Sequence, residues 1–162
     1  MIERVSAPPR HGIIPVEADA DSAPYWSALA ENRLQLPRCS RCQHTWSPPS
    51  PRCPHCGAEE HGWRELDGHG RVYSWVVVHR PMDEAFAAEG PYTIAVVELD
   101  DADGARLVGR LLGPPEQPVT AGAAVRTVVY DVGGQSLPGF VADASSTTGS
   151  PTLQGTREGN PA

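Results

Sequence analysis

The stretch Cys39-Ser40-Arg41-Cys42 … Cys53-Pro54-His55-Cys56 holds every cysteine of the chain, as two CxxC pairs with ten residues between them. Prolines stand at 48, 49, 51 and 54, in and beside that connection. Each CxxC can form a knuckle that turns two thiolates toward one point, and four thiolates complete a tetrahedral shell around zinc at about 2.3 Å. Metal binding by Cys39, Cys42, Cys53 and Cys56 is therefore the leading reading, and two knuckles on adjacent hairpins make a zinc ribbon. Two alternatives stand against it. A thioredoxin-type CxxC normally occurs once, beside a βαβ pattern that is not visible here. A disulfide framework belongs to a secreted chain, and Met1 to Gly12 lacks the apolar core of a signal peptide. Four thiolates fill the shell and leave no position for water or substrate, so the zinc is expected to be structural.

Working outward, Leu34 to Cys39 reads as a strand entering the first knuckle, with Thr45-Trp46-Ser47 as its return, and Pro54 and Gly57 suit the tight backbone of the second. Upstream, Asp21-Ser22-Ala23-Pro24 is a helix start, with Asp21 or Ser22 as N-cap and Pro24 in the first turn. Tyr25, Trp26, Leu29 and Ala30 follow at helical spacing, and the helix should end near Asn32 or Arg33. Its apolar face needs a surface, either the chain's own core or a partner protein. Residues 1–20, with Pro8, Pro9 and Pro15 and no periodicity, read as an extended arm interrupted by Ile13, Ile14 and Val16.

Downstream, Gly70 to His79 is a long strand alternating Val72, Ser74, Val76 and Val78 against Tyr73, Trp75 and Val77. A loop over 80–91 follows. Tyr92 to Leu99, Ala105 to Leu112, Val125 to Tyr130 and Gly139 to Ala142 complete five strands, with a hairpin turn at 100–104. Such a string suits a small Greek-key barrel of the OB type, and an SH3-like barrel would give nearly the same pattern. From Asp143 on, little is left to bury and a disordered tail is expected.

Composition removes several functions. The chain of 162 residues carries a net charge of -7, which argues against nucleic-acid phosphate as its main partner. It has thirteen arginines and no lysine, so a Schiff-base lysine, a P-loop lysine and a lysine general base are all excluded. No stretch is long enough to cross a bilayer as a helix. Histidines 11, 44, 55, 61, 69 and 79 show no convincing companion, and no HExxH, GxSxG, GxGxxG or Walker pattern occurs. Asp100, Asp101 and Asp103 lack the further ligands of an EF-hand and read as a solvated turn. Tyr73, Trp75 and Tyr92 could form a stacking platform for single-stranded nucleic acid, though their ordinary role is core packing.

The order of parts is itself distinctive. Pro24-Tyr25-Trp26-Ser27-Ala28-Leu29 leads through Leu34-Gln35-Leu36-Pro37-Arg38 to the two cysteine pairs. Gly68-His69-Gly70-Arg71-Val72-Tyr73-Ser74-Trp75, then Pro91 to Leu99, then Leu137-Pro138-Gly139-Phe140 follow. This resembles the DUF35 family over roughly residues 15–142. One departure is visible: the family usually has Gly after the second cysteine of each pair, and here Gln43 follows Cys42 whereas Gly57 follows Cys56. The first knuckle is therefore expected to be less ideal, with its ligands intact.

The resemblance implies a mainly β chain: an arm over 1–20, a helix over 21–35, a rubredoxin-like zinc ribbon over 36–64, a five-stranded OB-fold barrel over 65–142 and a disordered tail over 143–162. It implies a cytoplasmic accessory subunit without a complete active site, in a hetero-oligomer with a thiolase-like or lipid-transfer-protein-like enzyme. That partner would be a thiolase, an acyltransferase or a retro-aldolase of steroid side-chain degradation, with an acyl-CoA as the ligand of the complex. Arg80, for a phosphate, and Met82 and Phe86, for an acyl or pantetheine arm, are the expected acyl-CoA contacts. Ile13, Ile14, Tyr25, Trp26, Leu29 and Trp46 are the expected partner contacts. The competing class is a single-stranded nucleic-acid-binding module, which zinc ribbons and OB folds also serve.

Overall fold

The structure, a computed structural model, describes residues 1–6, 17–80, 91–114 and 117–143. Its first element corrects the expected arm. Ile2 is buried in the main core, and β1 (Glu3–Val5) pairs in parallel with β7 (Ala124–Val132), Glu3 opposite Val128 and Val5 opposite Tyr130. Ile13 and Ile14 lie outside the described residues.

Helix α1 (Ala23–Ala30) begins after Ser22, whose N–H and hydroxyl both donate to Asp19 Oδ1, at 2.8 and 2.6 Å. Pro24 falls in the first turn, where its missing N–H costs little. The helix stops as Asn32 turns to a φ of 60°. Arg4 of β1 reaches back to this end. Its guanidinium donates to the Leu29 and Ala30 carbonyls, to Asn32 Oδ1, and to Asp131 and Ser136 on either side of the turn that follows β7. A cation at the open carbonyls of a helix C-terminus is favourably placed.

β2 (Leu34–Cys39) pairs antiparallel with β3 (His61–Leu66), from Leu34 opposite Leu66 to Cys39 opposite His61. The return expected at 45–47 is reduced to one bridge, Arg38 to Thr45. Five strands then close a barrel: β4 (His69–Val78), β5 (Tyr92–Leu99), β6 (Arg106–Leu111), β7 and β8 (Gln135–Ala142), in the cyclic order β4-β5-β6-β8-β7. β8 starts earlier than the expected 139, directly after the Gly133-Gly134 turn.

Two close approaches allow the closure. A Cβ on Gly70 would stand 2.5 Å from the Glu98 carbonyl oxygen, and one on Gly109 would stand 2.8 Å from that of Pro138. Neither position accepts a side chain without moving a strand. One core runs through the molecule. Leu29 of α1, Leu34 and Leu36 of β2 and Leu66 of β3 join Val72, Val97, Leu107, Val129 and Phe140 of the barrel. Tyr25 and Leu29, expected against a partner, are therefore spent on the chain's own core, with exposures of 6% and 0%.

A bulge corrects the reading of the long strand. Val72 faces Val97, but Ser74 faces Val96, so Tyr73 is an extra residue on β4. A one-residue insertion exchanges the faces beyond it. Val72 points to the core, whereas Val76 and Val78 are on the outer face with Ile94 and Tyr92, and Trp75 and Val77 take the inner side. β4 also outruns β7, which pairs with it only at His69–Arg71. Tyr73 and Trp75 are accordingly 54% and 40% exposed, not core residues.

Candidate functional site

The four cysteines are brought together by two knuckles with matching hydrogen bonds. Cys39 N–H donates to the His44 carbonyl and Gln43 N–H to the Cys39 carbonyl, at 2.9 and 3.0 Å. In the second knuckle Cys53 N–H donates to the Ala58 carbonyl and Gly57 N–H to the Cys53 carbonyl, both at 2.9 Å. Gln43 and Gly57 occupy equivalent places and both have positive φ, 63° and 74°. The departure from glycine at 43 is thus accommodated in the left-handed conformation, and the Gln43 amide nitrogen donates to the Ser40 carbonyl at 3.0 Å. A non-glycine residue there costs roughly 1 kcal/mol.

The sulfurs fit a metal. All four Sγ atoms lie within 4.8 Å of one another, with Cys39 to Cys56 and Cys42 to Cys53 each at 3.6 Å. A tetrahedral shell with zinc-sulfur bonds of about 2.3 Å has edges of about 3.8 Å. The thiols are free rather than bridged. The Cys42 N–H, 3.5 Å from Cys39 Sγ, holds the Cys39 thiol down to about 6 against the opposing effect of burial. Cys42 goes the other way. The His44 N–H favours its thiolate, but burial and the neighbouring thiols of Cys56, Cys39 and Cys53 push it up to about 12. Four thiolates so close together need a cation between them, which zinc supplies while ordering the knuckles.

Around the sulfurs there is little else to bury. Trp46, 4% exposed, packs with Cys39 and Cys53, and its Nε1 donates to Ser50 Oγ at 3.1 Å. Trp46 was expected on a partner surface; it is instead the side chain that closes the ribbon. Trp26 is half-buried, packed against the main core and edge-on to Tyr25.

The turn after β5 is a joint as well as the solvated turn expected, with Asp100, Asp101 and Asp103 exposed. Asp103 Oδ2 accepts the Thr45 N–H of the first knuckle at 3.0 Å, Arg64 of β3 donates to the Asp101 carbonyl at 2.6 Å, and Ala102 is wholly buried. A cavity of about 600 Å³ beside it is lined by Arg71, Glu98, Leu99, Asp100, Asp101, Asp103 and Gly104. Its carboxylates repel a phosphate. Of the expected acyl-CoA contacts, Arg80 is exposed just past the end of β4, and Met82 and Phe86 lie outside the described residues. Three histidines have companions that the spacing hid: His69 Nδ1 stands 3.1 Å from Asp143 Oδ2, and the rings of His44 and His55 are 5.2 Å apart. Among the described residues no helix is long and apolar enough to cross a membrane.

Two family models match the chain in succession. Residues 26–62 match the rubredoxin-like zinc ribbon domain of ChsH2, and residues 63–131 match its C-terminal OB-fold domain. A probable enoyl-CoA hydratase alpha subunit from Thermomonospora curvata is 40% identical over 105 residues, 65% of this chain and 32% of that one. A DUF35 domain-containing scaffold protein from Methanocaldococcus jannaschii is 36% identical over 93 residues, 56% of this chain and 63% of that one. The chain thus spans about a third and somewhat under two thirds of these relatives. Among solved structures, the Ltp2-ChsH2(DUF35) aldolase matches with a TM-score of 0.69 and 34% identity, over 79% of this chain and 98% of that one. A Sulfolobus solfataricus protein of the DUF35 family shares the fold, with a TM-score of 0.56 at 21% identity.

Proposed function

The chain belongs to the DUF35 family, matched to the zinc ribbon and OB-fold domains of ChsH2, and from that premise we propose that it is an accessory subunit of an acyl-CoA enzyme. Its partner is an aldolase- or hydratase-like subunit, of the thiolase-like class in the finer version of the proposal. The observation that carries the reading is the likeness over nearly the whole of a chain described as part of the Ltp2-ChsH2(DUF35) aldolase. The relative from Thermomonospora, described as a hydratase subunit and about three times the matched length, supports it. In this reading zinc is structural, since the four sulfurs close its shell.

The accessory subunit helps hold the acyl-CoA, through Arg80 for a phosphate and through Met82 and Phe86 for the acyl or pantetheine arm. Steroid or other lipid degradation is the pathway class this reading carries, and the cytoplasm its compartment. The test is co-expression with the enzyme subunit encoded beside this chain. A stable complex is expected, and Arg80→Ala should weaken its acyl-CoA affinity about tenfold, a charged contact being worth around 1.4 kcal/mol or more. A monodisperse chain that binds no such subunit ends the proposal; unchanged affinity in Arg80→Ala ends only the phosphate assignment.

The exposed rings of Tyr73 and Trp75 favour a second reading, binding of single-stranded nucleic acid. The Arg106 guanidinium already covers the Tyr73 ring at 3.4 Å, and three valines follow Trp75 in sequence. Titration with an oligo(dT) at two salt concentrations decides it, because such binding falls steeply with salt.

A further inference from the structure

Soluble proteins protect the open edges of their sheets with charges, proline or short strands. Beyond the bulge at Tyr73, the outer part of β4 has none of these. Val72 is its last residue bonded toward β7, exchanging hydrogen bonds with Ala123 and Gly122 at 2.9 and 2.8 Å. Of the next six residues, Tyr73-Ser74-Trp75-Val76-Val77-Val78, all but the bulged Tyr73 keep β5 along one edge, and among the described residues nothing pairs with the other edge. The run is uncharged. Tyr73, Trp75 and Val76 are 54%, 40% and 56% exposed, and Val108 of β6, 62% exposed, continues the apolar surface across Val96.

Two properties specify what covers this edge. Free backbone groups flanked by apolar side chains on both faces take another extended strand. The charges choose its source. The run is bracketed by Arg71, whose nearest carboxylate is Asp100 at 3.8 Å, and by His79 and Arg80, all exposed. A second copy pairing antiparallel about the centre of the run sets Tyr73 against Val78, and therefore Arg71 against Arg80, twice. Parallel pairing in register sets each arginine against itself. Like charges opposite one another destabilise a strand pair, so self-association is disfavoured. The complementary strand has an apolar centre and a carboxylate at each end. We infer that residues 73–78 accept, by strand addition, such a segment of the enzyme subunit. The partner's identity rests on the accessory-subunit reading; the chemistry of the strand does not.

Two experiments test the inference separately from that reading. The first selects a phage-displayed library of random twelve-residue peptides on the full-length, zinc-loaded protein. The expected consensus is about six apolar residues with Asp or Glu at both ends, and Val76→Glu should weaken the selected peptides about tenfold or more. Val76 is exposed, so this variant should keep its zinc content and melting temperature, and Val108→Ile should bind as the parent does. No enrichment, a consensus with basic ends, or equal binding to Val76→Glu overturns the inference.

The second introduces Val76→Glu into the complex with the neighbouring-gene subunit, where a loss of about tenfold is expected. Undiminished assembly overturns the inference and leaves the accessory role standing. If the parent chain binds no such subunit, the accessory role fails and the peptide selection alone decides the edge. A dimer in light scattering that Val76→Glu dissolves, or an oligo(dT) bound at this edge, would overturn the inference in favour of a second copy or of nucleic acid.

Discussion

The two ends of the β2–β3 hairpin are held by different physics. At its base, Leu34, Leu36 and Leu66 are almost fully buried among the helix and barrel residues of the main core. At its tip, the buried cluster is Cys39, Trp46 and Cys53. Burying a leucine side chain is worth about 1.5–3 kcal/mol, so three leucines supply the base with ordinary hydrophobic stability. The tip has one large apolar side chain and depends on metal-sulfur bonds, worth about 10–16 kcal/mol in small zinc-finger peptides. A single hairpin can therefore belong to a folding core at one end and to a metal centre at the other. The alternating register, with Leu34 and Leu36 inward and Cys39 at the end of the strand, hands the chain from one to the other.

Removing the metal is the strongest way to break this contrast. Chelation, or Cys53→Ser, should abolish hydrogen-exchange protection of the Cys39, Gln43, Cys53 and Gly57 amides while the amides of β5 to β8 stay protected. If the barrel amides open together with them, the hairpin is one cooperative unit and the division is wrong. Leu36→Ala attacks the other end. It should cost about 2–5 kcal/mol in the main unfolding transition, read by denaturant titration, with one zinc still bound per folded chain.

Smaller changes sharpen the boundary. Asp103→Ala removes the acceptor of the Thr45 N–H and should loosen the tip by about 1 kcal/mol, seen as faster exchange at Thr45 without a change in the barrel's midpoint. Gln43→Gly relieves the left-handed side chain of the first knuckle, for a gain of under about 1 kcal/mol. Slower zinc release to a competing chelator would register it. The matching backbone at Gly57 makes Gly57→Ala the opposite change.

How much of this was legible beforehand follows the range of the interactions. The cysteine spacing announces the metal centre because its ligands and knuckles are local, and the runs of Val, Ile and Tyr announce the barrel strands for the same reason. β1 has no such signature. Three residues, Glu3-Arg4-Val5, become a strand only because β7 offers them an edge far along the chain. The faces of β4 were misassigned because one extra residue at Tyr73 exchanges them, and nothing in the alternation of valines marks the insertion. Tyr25, Leu29 and Trp46 carry apolar surface that suits a core or an interface equally; burial against named neighbours, not residue type, decided for the core. The acidic turn is solvated as its composition announces, and only its second role was hidden. Its carboxylates do face water, but Asp103 is held by a backbone N–H some sixty positions earlier (58) in sequence.

The seat of Arg4 has a consequence for the order of assembly. This arginine stands 127 and 132 positions before its acceptors, Asp131 and Ser136, which lie near the end of the described barrel. β1 must wait for β7, and the contact it makes is among the most distant in sequence among the described residues. Distant contacts carry the largest loop-closure cost and tend to form late. β1 is thus among the last elements able to dock, and a substitution in it would bear on the final step of folding rather than on its beginning.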